Sequence, residues 1–243
     1  SNMHYLTGYD GWSFYTPQCV VVALDLEEPL WIGRGIDGNG ARVTTYLKEE
    51  NIYPYGDDYV QTAVKHPMNF AADVLKARGL DRGTIGLEMD SYYFSPAGYE
   101  ALKADLPNAS FLNAEGLVNW VRCIKSPAEI ELMQQAAKIL ERVMQVAFEQ
   151  VTPGNRQCDA AAAIYQAGIS GTPEFGGDYT AIVPMLPTGV GTSTPHLTWS
   201  DEPFKEGEAT ILELAGCRRR YHCPQARTVF IGKPPQKLAD AAS

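Results

Sequence analysis

The sequence lacks an excess of basic residues. It contains 20 Lys and Arg against 29 Asp and Glu among 243 residues, which gives a formal net charge of −9. Proteins that bind nucleic acid or anionic lipid usually display a basic face, because they must neutralise phosphate groups. We therefore expect no nucleic-acid partner and no membrane partner, and small molecules or proteins remain as candidates.

Long hydrophobic runs and paired cysteines are also missing. No apolar stretch reaches the roughly 18 residues of a membrane-spanning helix, and the first residues do not have the pattern of a secretory leader. The five cysteines are odd in number and show no Cys-x-x-Cys spacing: Cys19, Cys123, Cys158, Cys217 and Cys223. This usage favours reduced thiols and predicts a cytoplasmic location.

Strand and helix patterns alternate in the first half of the chain. The sequence predicts paired strands over 18–33, a helix over 66–80, a strand over 84–90 and a helix over 95–107. Their spacing is typical of a compact α/β unit, which we place at residues 1–122.

A long amphipathic helix opens the second unit, residues 123–243. Ser126 is the expected N-cap, Pro127 the first helical residue and Glu129 the second half of a capping box. Apolar residues then recur at helical spacing, at Ile130, Met133, Ala137, Leu140, Met144 and Phe148. A second helix is predicted over 155–170, and strands are predicted over 178–186, 209–216 and 226–232.

Glu213 lies in the middle of a hydrophobic run that otherwise reads as a buried strand. An unpaired carboxylate in such a place costs several kcal/mol. Strand alternation puts Ile211, Glu213 and Ala215 on one face. Glu213 therefore either pairs with Arg220 or Arg227 across a hairpin, or faces a cleft where it is used.

His196 lies in a loop between two predicted strands. A lone loop histidine is more often solvated or structural than catalytic. The functional alternative is a proton carrier, because histidine is the side chain that most often transfers protons in enzymes.

Two stretches resemble the creatinase, prolidase and methionine aminopeptidase superfamily. "VNWVRCIKSPAEIELMQQAAKIL" is similar to the linker and first long helix of its catalytic domain, which has the pita-bread fold. "PHLTWSDEPFKEGEATILELAG" is similar to the segment with the catalytic histidine and the first active-site acid. The resemblance implies an α/β (α+β) architecture, with a creatinase-like α/β domain followed by the first half of a pita-bread domain. It also implies catalytic roles for His196 and Glu213.

The metallopeptidases of this superfamily show Asp-x-Gly, followed by Gly-Tyr-x-Ser-Asp-x-Thr-Arg-Thr. In this sequence Glu213 stands at the position of the first Asp, Tyr221 at that of the Tyr and Arg227 at that of the Arg. Pro224 stands at the position of the second metal-binding Asp. Proline cannot ligate a metal through its side chain. The resemblance therefore implies no metal and no cofactor, and it assigns Tyr221 and Arg227 to substrate binding.

The metal-free creatinase branch matches nearly the whole chain, and "FGGDYTAIVPMLPTG" and "ELAGCRRRYHCPQART" look closer still to its ectoine hydrolases. The resemblance implies a metal-independent hydrolase that opens the cyclic amidine ring of ectoine, a small zwitterion, to an N-acetyl-diaminobutyrate. Ala226 stands where creatinase has a substrate-binding glutamate, so creatine is not expected as the substrate.

The resemblance to creatinase-like dimers implies a homodimer of the complete protein, in which Trp12, Phe14 or Tyr15 completes a neighbouring site. The alternative is that these aromatics form the core of a strand. Two other functions remain open: a metal-dependent Xaa-Pro dipeptidase and an inactive pita-bread binding module. The first residues begin in mid-pattern, so we interpret the chain as a fragment that is inactive alone.

Overall fold

The computed structural model of the chain describes residues 1–114 and 116–242. The chain divides into two compact units, Ser1–Ile124 and the part from Lys125 onward. Both units combine helices and strands, which confirms the α/β class that the sequence predicts.

The first unit contains two small sheets. In one sheet β1 (Cys19–Val21) is antiparallel to β2 (Leu30–Arg34), and β2 is parallel to β3 (Ile52–Tyr55). In the other sheet β4 (Gly83–Leu87) and β5 (Ala109–Asn113) are parallel. The helices of this unit are α1 (Asn2–Thr7), α2 (Gly38–Thr44), α3 (Pro67–Ala77), α4 (Pro96–Asp105) and α5 (Leu117–Cys123). The predicted strand pair at 18–33 and the two predicted helices are confirmed.

The second unit opens with α6 (Pro127–Gln150). Its capping box is confirmed, because the Ser126 hydroxyl accepts the Glu129 N–H at 3.4 Å and the Glu129 carboxylate accepts the Ser126 N–H at 2.7 Å. Two backbone donors at the helix start are thereby satisfied.

The remaining elements of this unit are α7 (Gln157–Ser170), β6 (Ala209–Arg218), β7 (Tyr221–Phe230) and α8 (Gln236–Ala242). Strands β6 and β7 form an antiparallel hairpin with ten cross-strand pairs. Its two turn residues, Arg219 and Arg220, both have positive φ, at 45° and 67°, as in the type I′ turn whose twist matches paired strands.

The buried face of α6 agrees with the predicted one only in part, because Leu140 and Met144 are buried as predicted but the two ends of the predicted stripe are not. Ile130 and Phe148 are 42% and 46% exposed. The face that packs into the core consists of Ala136, Ile139, Leu140, Val143, Met144 and Ala147. The reason is a close approach between α6 and the hairpin at Gly216, where an added Cβ would lie 2.1 Å from the Ala136 carbonyl oxygen. Small residues at this crossing, rather than the bulkiest side chains, set the rotation of the helix.

Residues 178–186 do not form the predicted strand. Met185 pairs with Glu213 as an isolated bridge, and the residues before it form an irregular segment along the edge of β6. We call residues 178–184 the arch. Pro184 and Pro187 lack the N–H that strand pairing requires, which explains why the alternating pattern does not produce a strand.

None of the helices in the described part of the chain is both long enough and apolar enough to cross a membrane.

Candidate active site

The β6–β7 hairpin presents one open face. Opposite residues of antiparallel strands point to the same side, and Glu213 lies opposite Ala226 while Pro224 lies opposite Ala215. Pro224 and Ala226 are exposed, whereas Leu212 and Leu214 on the other face are buried. Glu213 is therefore on the open face, with Pro224 as its diagonal neighbour.

The backbone of Glu213 is held on both sides. Its N–H donates to the Met185 carbonyl at 3.1 Å, and its carbonyl accepts the Met185 N–H at 3.2 Å. Its other edge pairs with β7. These contacts fix the backbone position of Glu213, a residue that is half-buried.

Of the two alternatives for Glu213, the pairing with an arginine is wrong. Arg227 lies opposite Leu212 and so points to the other face, where its guanidinium donates to the Ala226 carbonyl at 2.7 Å. The Arg220 guanidinium lies 3.9 Å from the centre of the Tyr179 ring. Among the residues that the structure describes, Glu213 takes part in no ion pair. Its carboxylate is therefore available to a cationic ligand.

The side chains around Glu213 do not suit a divalent metal. Its neighbours on the open face are Ile211, Ala215, Pro224, Ala226 and Thr228. Four of them have no ligating side-chain atom, and Thr228 offers only a neutral hydroxyl, which is a poor ligand beside the carboxylate, imidazole and thiolate groups that bind divalent metals. Over residues 1–114 and 116–242, no three His, Cys, Asp or Glu residues come together as a metal site. The donor set in this part of the protein thus does not fit a dinuclear centre, and we assign no step to a metal.

His196 is exposed in the loop that precedes β6. Its φ is 67°, a left-handed conformation that is unfavourable for a residue with a Cβ and that concentrates at functional sites. Two residues later the Thr198 carbonyl accepts the Leu186 N–H at 2.8 Å. The loop is thus tied to the segment whose Met185 pairs with Glu213.

Tyr221 and Arg227 lie on the face of the hairpin opposite to Glu213, at pairing positions with Arg218 and Leu212. The Tyr221 hydroxyl donates to Glu129 at 2.8 Å. The hydrogen bonds from Ser126, and then the one from Tyr221, lower the pKa of the Glu129 carboxyl. The structure therefore brings Glu213 together with neither of the two residues assigned to substrate binding.

The aromatic run of the first unit is exposed. Trp12 and Tyr15 are 68% and 56% exposed, so the alternative that they form the core of a strand is wrong. The rings of Trp12 and Phe14 have centroids 5.0 Å apart, and Phe14 and Tyr93 have centroids 5.8 Å apart. These side chains form a cluster on the surface. A residue that contacts a ligand or another protomer must be exposed in this way.

The sequence did not lead us to His222 as a residue near the candidate site. It lies opposite Cys217 and thus on the Glu213 face of the hairpin. Its Nε2 accepts the Ala181 N–H at 3.0 Å, and its Nδ1 donates to the Arg220 carbonyl at 3.0 Å. Burial is the largest effect on the His222 pKa and lowers it. The signal was present in the sequence, because period-2 alternation from Ala226 and Pro224 places His222 on the same side.

A groove runs beside the edge of β6, between the arch and α7. Its lining includes Tyr165, Ile169, Asp178, Ile182, Val183 and Ala215. Leu214 and Ala215 of β6 both line it and Glu213 does not, so the groove begins one residue along the strand from the candidate catalytic carboxylate.

Two family comparisons together match most of the chain. Residues 1–124 match the Creatinase/Prolidase N-terminal domain. Residues 131–243 match Metallopeptidase family M24.

Three comparisons with individual proteins add detail. The chain is 50% identical to an ectoine hydrolase of Halomonas elongata, with 100% of the chain and 62% of that protein covered. It is 25% identical to an Xaa-Pro dipeptidase of Pyrococcus horikoshii, over 58% of the chain and 40% of that protein. Among solved structures, the X-Pro aminopeptidase of Thermotoga maritima matches with a TM-score of 0.77 and 18% identity, over 98% of this chain and 59% of that one. The chain thus spans less than two thirds of the length of each of these three proteins.

Proposed function

This chain belongs to the creatinase and prolidase family, and from that premise we propose that the complete protein is a metal-independent hydrolase that opens the cyclic amidine ring of ectoine. The observation that carries the proposal is the lone carboxylate of Glu213 on an open hairpin face, with Pro224 at the diagonal position. The identity of 50% to an ectoine hydrolase supports the choice of substrate.

The chemistry of the substrate suits this arrangement. The amidinium carbon between two nitrogens is electron-poor, so water can attack it without a Lewis acid. The oxygen of water forms the new carbonyl, one C–N bond breaks, and both protons of the water pass to the departing nitrogen, which leaves as an ammonium group. The product is an N-acetyl-diaminobutyrate, and the reaction consumes one water with no oxidant or reductant.

Glu213 and His196 have different catalytic roles in this proposal. The Glu213 carboxylate neutralises the amidinium and either activates the water or attacks the carbon itself. His196 carries a proton between the water and the departing nitrogen. We assign no step to Tyr221 or Arg227, because they lie on the other face of the hairpin.

The first unit contributes aromatic side chains in this proposal. Trp12 and Tyr15 are exposed, and a flat cation gains about 0.5–2 kcal/mol over an aromatic face. We propose that they complete the site of a second protomer in a homodimer, and that the protein is cytoplasmic. The chain from residue 1 to 243 alone is proposed to be inactive.

A metal-dependent Xaa-Pro dipeptidase is the second candidate, and the match to Metallopeptidase family M24 favours it. A pita-bread domain used only for binding is the third candidate.

One experiment separates the three. The complete protein is purified, its content of Mn, Zn, Co and Fe is measured, and it is incubated with ectoine or with an Xaa-Pro dipeptide. We expect ring-opened product by NMR, at the same rate before and after treatment with a chelator. Two metal ions per chain with dipeptide cleavage would replace the proposal with the dipeptidase, and no turnover of either substrate would leave the binding module.

A further inference from the structure

We propose that His222 is a positioning residue, which holds the arch against the hairpin and so fixes one wall of the groove beside Glu213. The effect of this residue on catalysis rests on the proposed function. The contact between His222 and the arch does not, because it is argued from geometry alone.

The two ends of the arch are held by backbone hydrogen bonds. At one end the Asp178 N–H donates to the Cys217 carbonyl at 3.0 Å, and at the other end Met185 exchanges two hydrogen bonds with Glu213. Between these points the chain has no strand pairing. The middle of the arch therefore depends on side-chain contacts for its position.

His222 supplies such a contact at the centre of the arch. Its Nε2 accepts the Ala181 N–H at 3.0 Å across 41 residues of sequence. The other ring nitrogen is fixed by the Arg220 carbonyl at 3.0 Å. Because both ring nitrogens are hydrogen-bonded, the ring cannot rotate without losing a hydrogen bond. The ring therefore connects the hairpin turn to the arch in a fixed orientation.

The contact requires the neutral imidazole with its proton on Nδ1. A protonated ring carries a hydrogen on both nitrogens and cannot accept from Ala181. Burial lowers the pKa of His222, and the hydrogen bond to the Arg220 carbonyl offsets part of that effect. In the same unit Arg220 lowers this pKa further and Asp178 raises it. The environment as a whole favours the form that can hold the arch.

The arch carries the side chains that face the groove. Tyr179, Ile182 and Val183 line it and are each partly exposed, and the opposite wall is formed by α7. If the arch moves away, this wall moves with it, while the bonds of Glu213 to Met185 remain. We therefore expect the loss of His222 to weaken substrate binding more than it slows the chemical step.

Two substitutions separate the two contacts of the ring. In His222→Gln the amide oxygen occupies the place of Nε2 and can still accept from Ala181. In His222→Asn the amide nitrogen occupies the place of Nδ1 and can still donate to Arg220, but nothing accepts from Ala181. The two variants are similar in polarity, so each is the matched control of the other.

The first measurement is amide hydrogen exchange by NMR in the complete protein. We expect the Ala181 amide to exchange at least about 10-fold faster in His222→Asn than in the wild type, and within about 3-fold of the wild type in His222→Gln. The Leu140 amide in α6 reports on the rest of the fold and should be unchanged. The nitrogen shifts of His222 in the wild type should show the Nδ1–H tautomer. Equal Ala181 exchange in all three proteins would overturn the proposal.

The second measurement is the KM for ectoine. We expect KM to rise about 5- to 10-fold in His222→Asn with kcat within about 2-fold, and both constants to stay near wild type in His222→Gln. If the Ala181 amide exchanges faster in His222→Asn than in His222→Gln but the two variants have the same KM for ectoine, the positioning role is refuted. If the wild type does not turn over ectoine, the proposed function fails, and the exchange data still decide whether His222 holds the arch.

Discussion

At the scale of single residues, Glu213 and His196 differ in how firmly they are held. Glu213 is fixed by strand pairing on both sides, whereas His196 lies in an exposed loop with a φ of 67°. We predict that Glu213→Gln and His196→Ala each lower ectoine turnover of the complete protein by roughly 100-fold or more. Glu141→Gln, an exposed change on α6, is the control and should retain activity within about 2-fold. Activity near wild type in either site variant would remove that residue from the mechanism.

The hairpin turn gives a second prediction at this scale. Arg219 has a φ of 45°, which an arginine adopts only at a cost of about 1–2 kcal/mol. Asn tolerates this conformation better and is common in type I′ turns. Arg219→Asn should therefore raise the free energy of unfolding by about 0.5–1 kcal/mol, or Tm by about 1–4 °C. A Tm below that of the wild type would mean that the Arg219 side chain makes a stabilising contact. The neighbouring Arg220 is left unchanged, because it contacts Tyr179.

At the scale of elements, local sequence signals were reliable where the physics is local. The capping box at Ser126 and Glu129 and the alternation around Glu213 depend on neighbours within a few residues. The rotation of α6 depends on a close approach to Gly216, 80 residues from Ala136, which no helical periodicity reports. The arch, by contrast, failed as a strand for a local reason, because Pro184 and Pro187 lack the N–H that strand pairing requires.

Gly216 allows a direct test of the packing between α6 and the hairpin. An added Cβ at this position would lie 2.1 Å from the Ala136 carbonyl oxygen and 2.6 Å from the Leu140 nitrogen. Both are backbone atoms that cannot rotate away. We predict that Gly216→Ala destabilises the protein by about 1–3 kcal/mol in urea unfolding.

Gly168→Ala is the matched control in the same unit. Its Cβ would lie 3.6 Å from a methyl of Val143, an ordinary contact. Because alanine is the better helix former, this change in α7 should be neutral or should stabilise by up to about 1 kcal/mol. Equal effects of the two changes would contradict the close-approach explanation.

At the scale of the whole molecule, the sequence predicted the family and the fold class, but it did not predict how far the hairpin face around Glu213 is exposed. Pro224, Ala226 and Thr228 are exposed beside Glu213. We predict that residues 1–243 expressed alone consume ectoine at least about 100-fold more slowly than the complete protein, because a site on one open face cannot exclude water or orient the ring. Comparable rates would show that the two units suffice.

The proposed homodimer can be tested by complementation. If Trp12 of one protomer serves the site of the other, a mixed dimer of Trp12→Ala and Glu213→Gln subunits contains one site with both residues intact. We predict that the mixed dimers formed on co-expression contribute about a quarter of wild-type activity, since half of the dimers are mixed and each has one good site. This contribution adds to the activity that the Trp12→Ala homodimer retains, because loss of the aromatic face costs only about 0.5–2 kcal/mol. The added activity must be absent when each variant is expressed alone. No added activity on co-expression would place Trp12 and Glu213 in the same protomer or outside a common site.

The two-residue turn at Arg219 and Arg220 also has a consequence for synthesis of the chain. Ten pairs close across this turn, so the hairpin loses little entropy on closure and can form within about 1–10 μs of emerging. The arch precedes the hairpin in the chain and docks onto it, which means that its docking surface does not yet exist when the arch leaves the ribosome. At about 5–20 residues per second, the roughly 45 residues from Ala181 to Ala226 take about 2–9 s to translate. During those seconds Ile182 and Val183 are exposed on the nascent chain, and this is the interval in which a ribosome-associated chaperone would bind them.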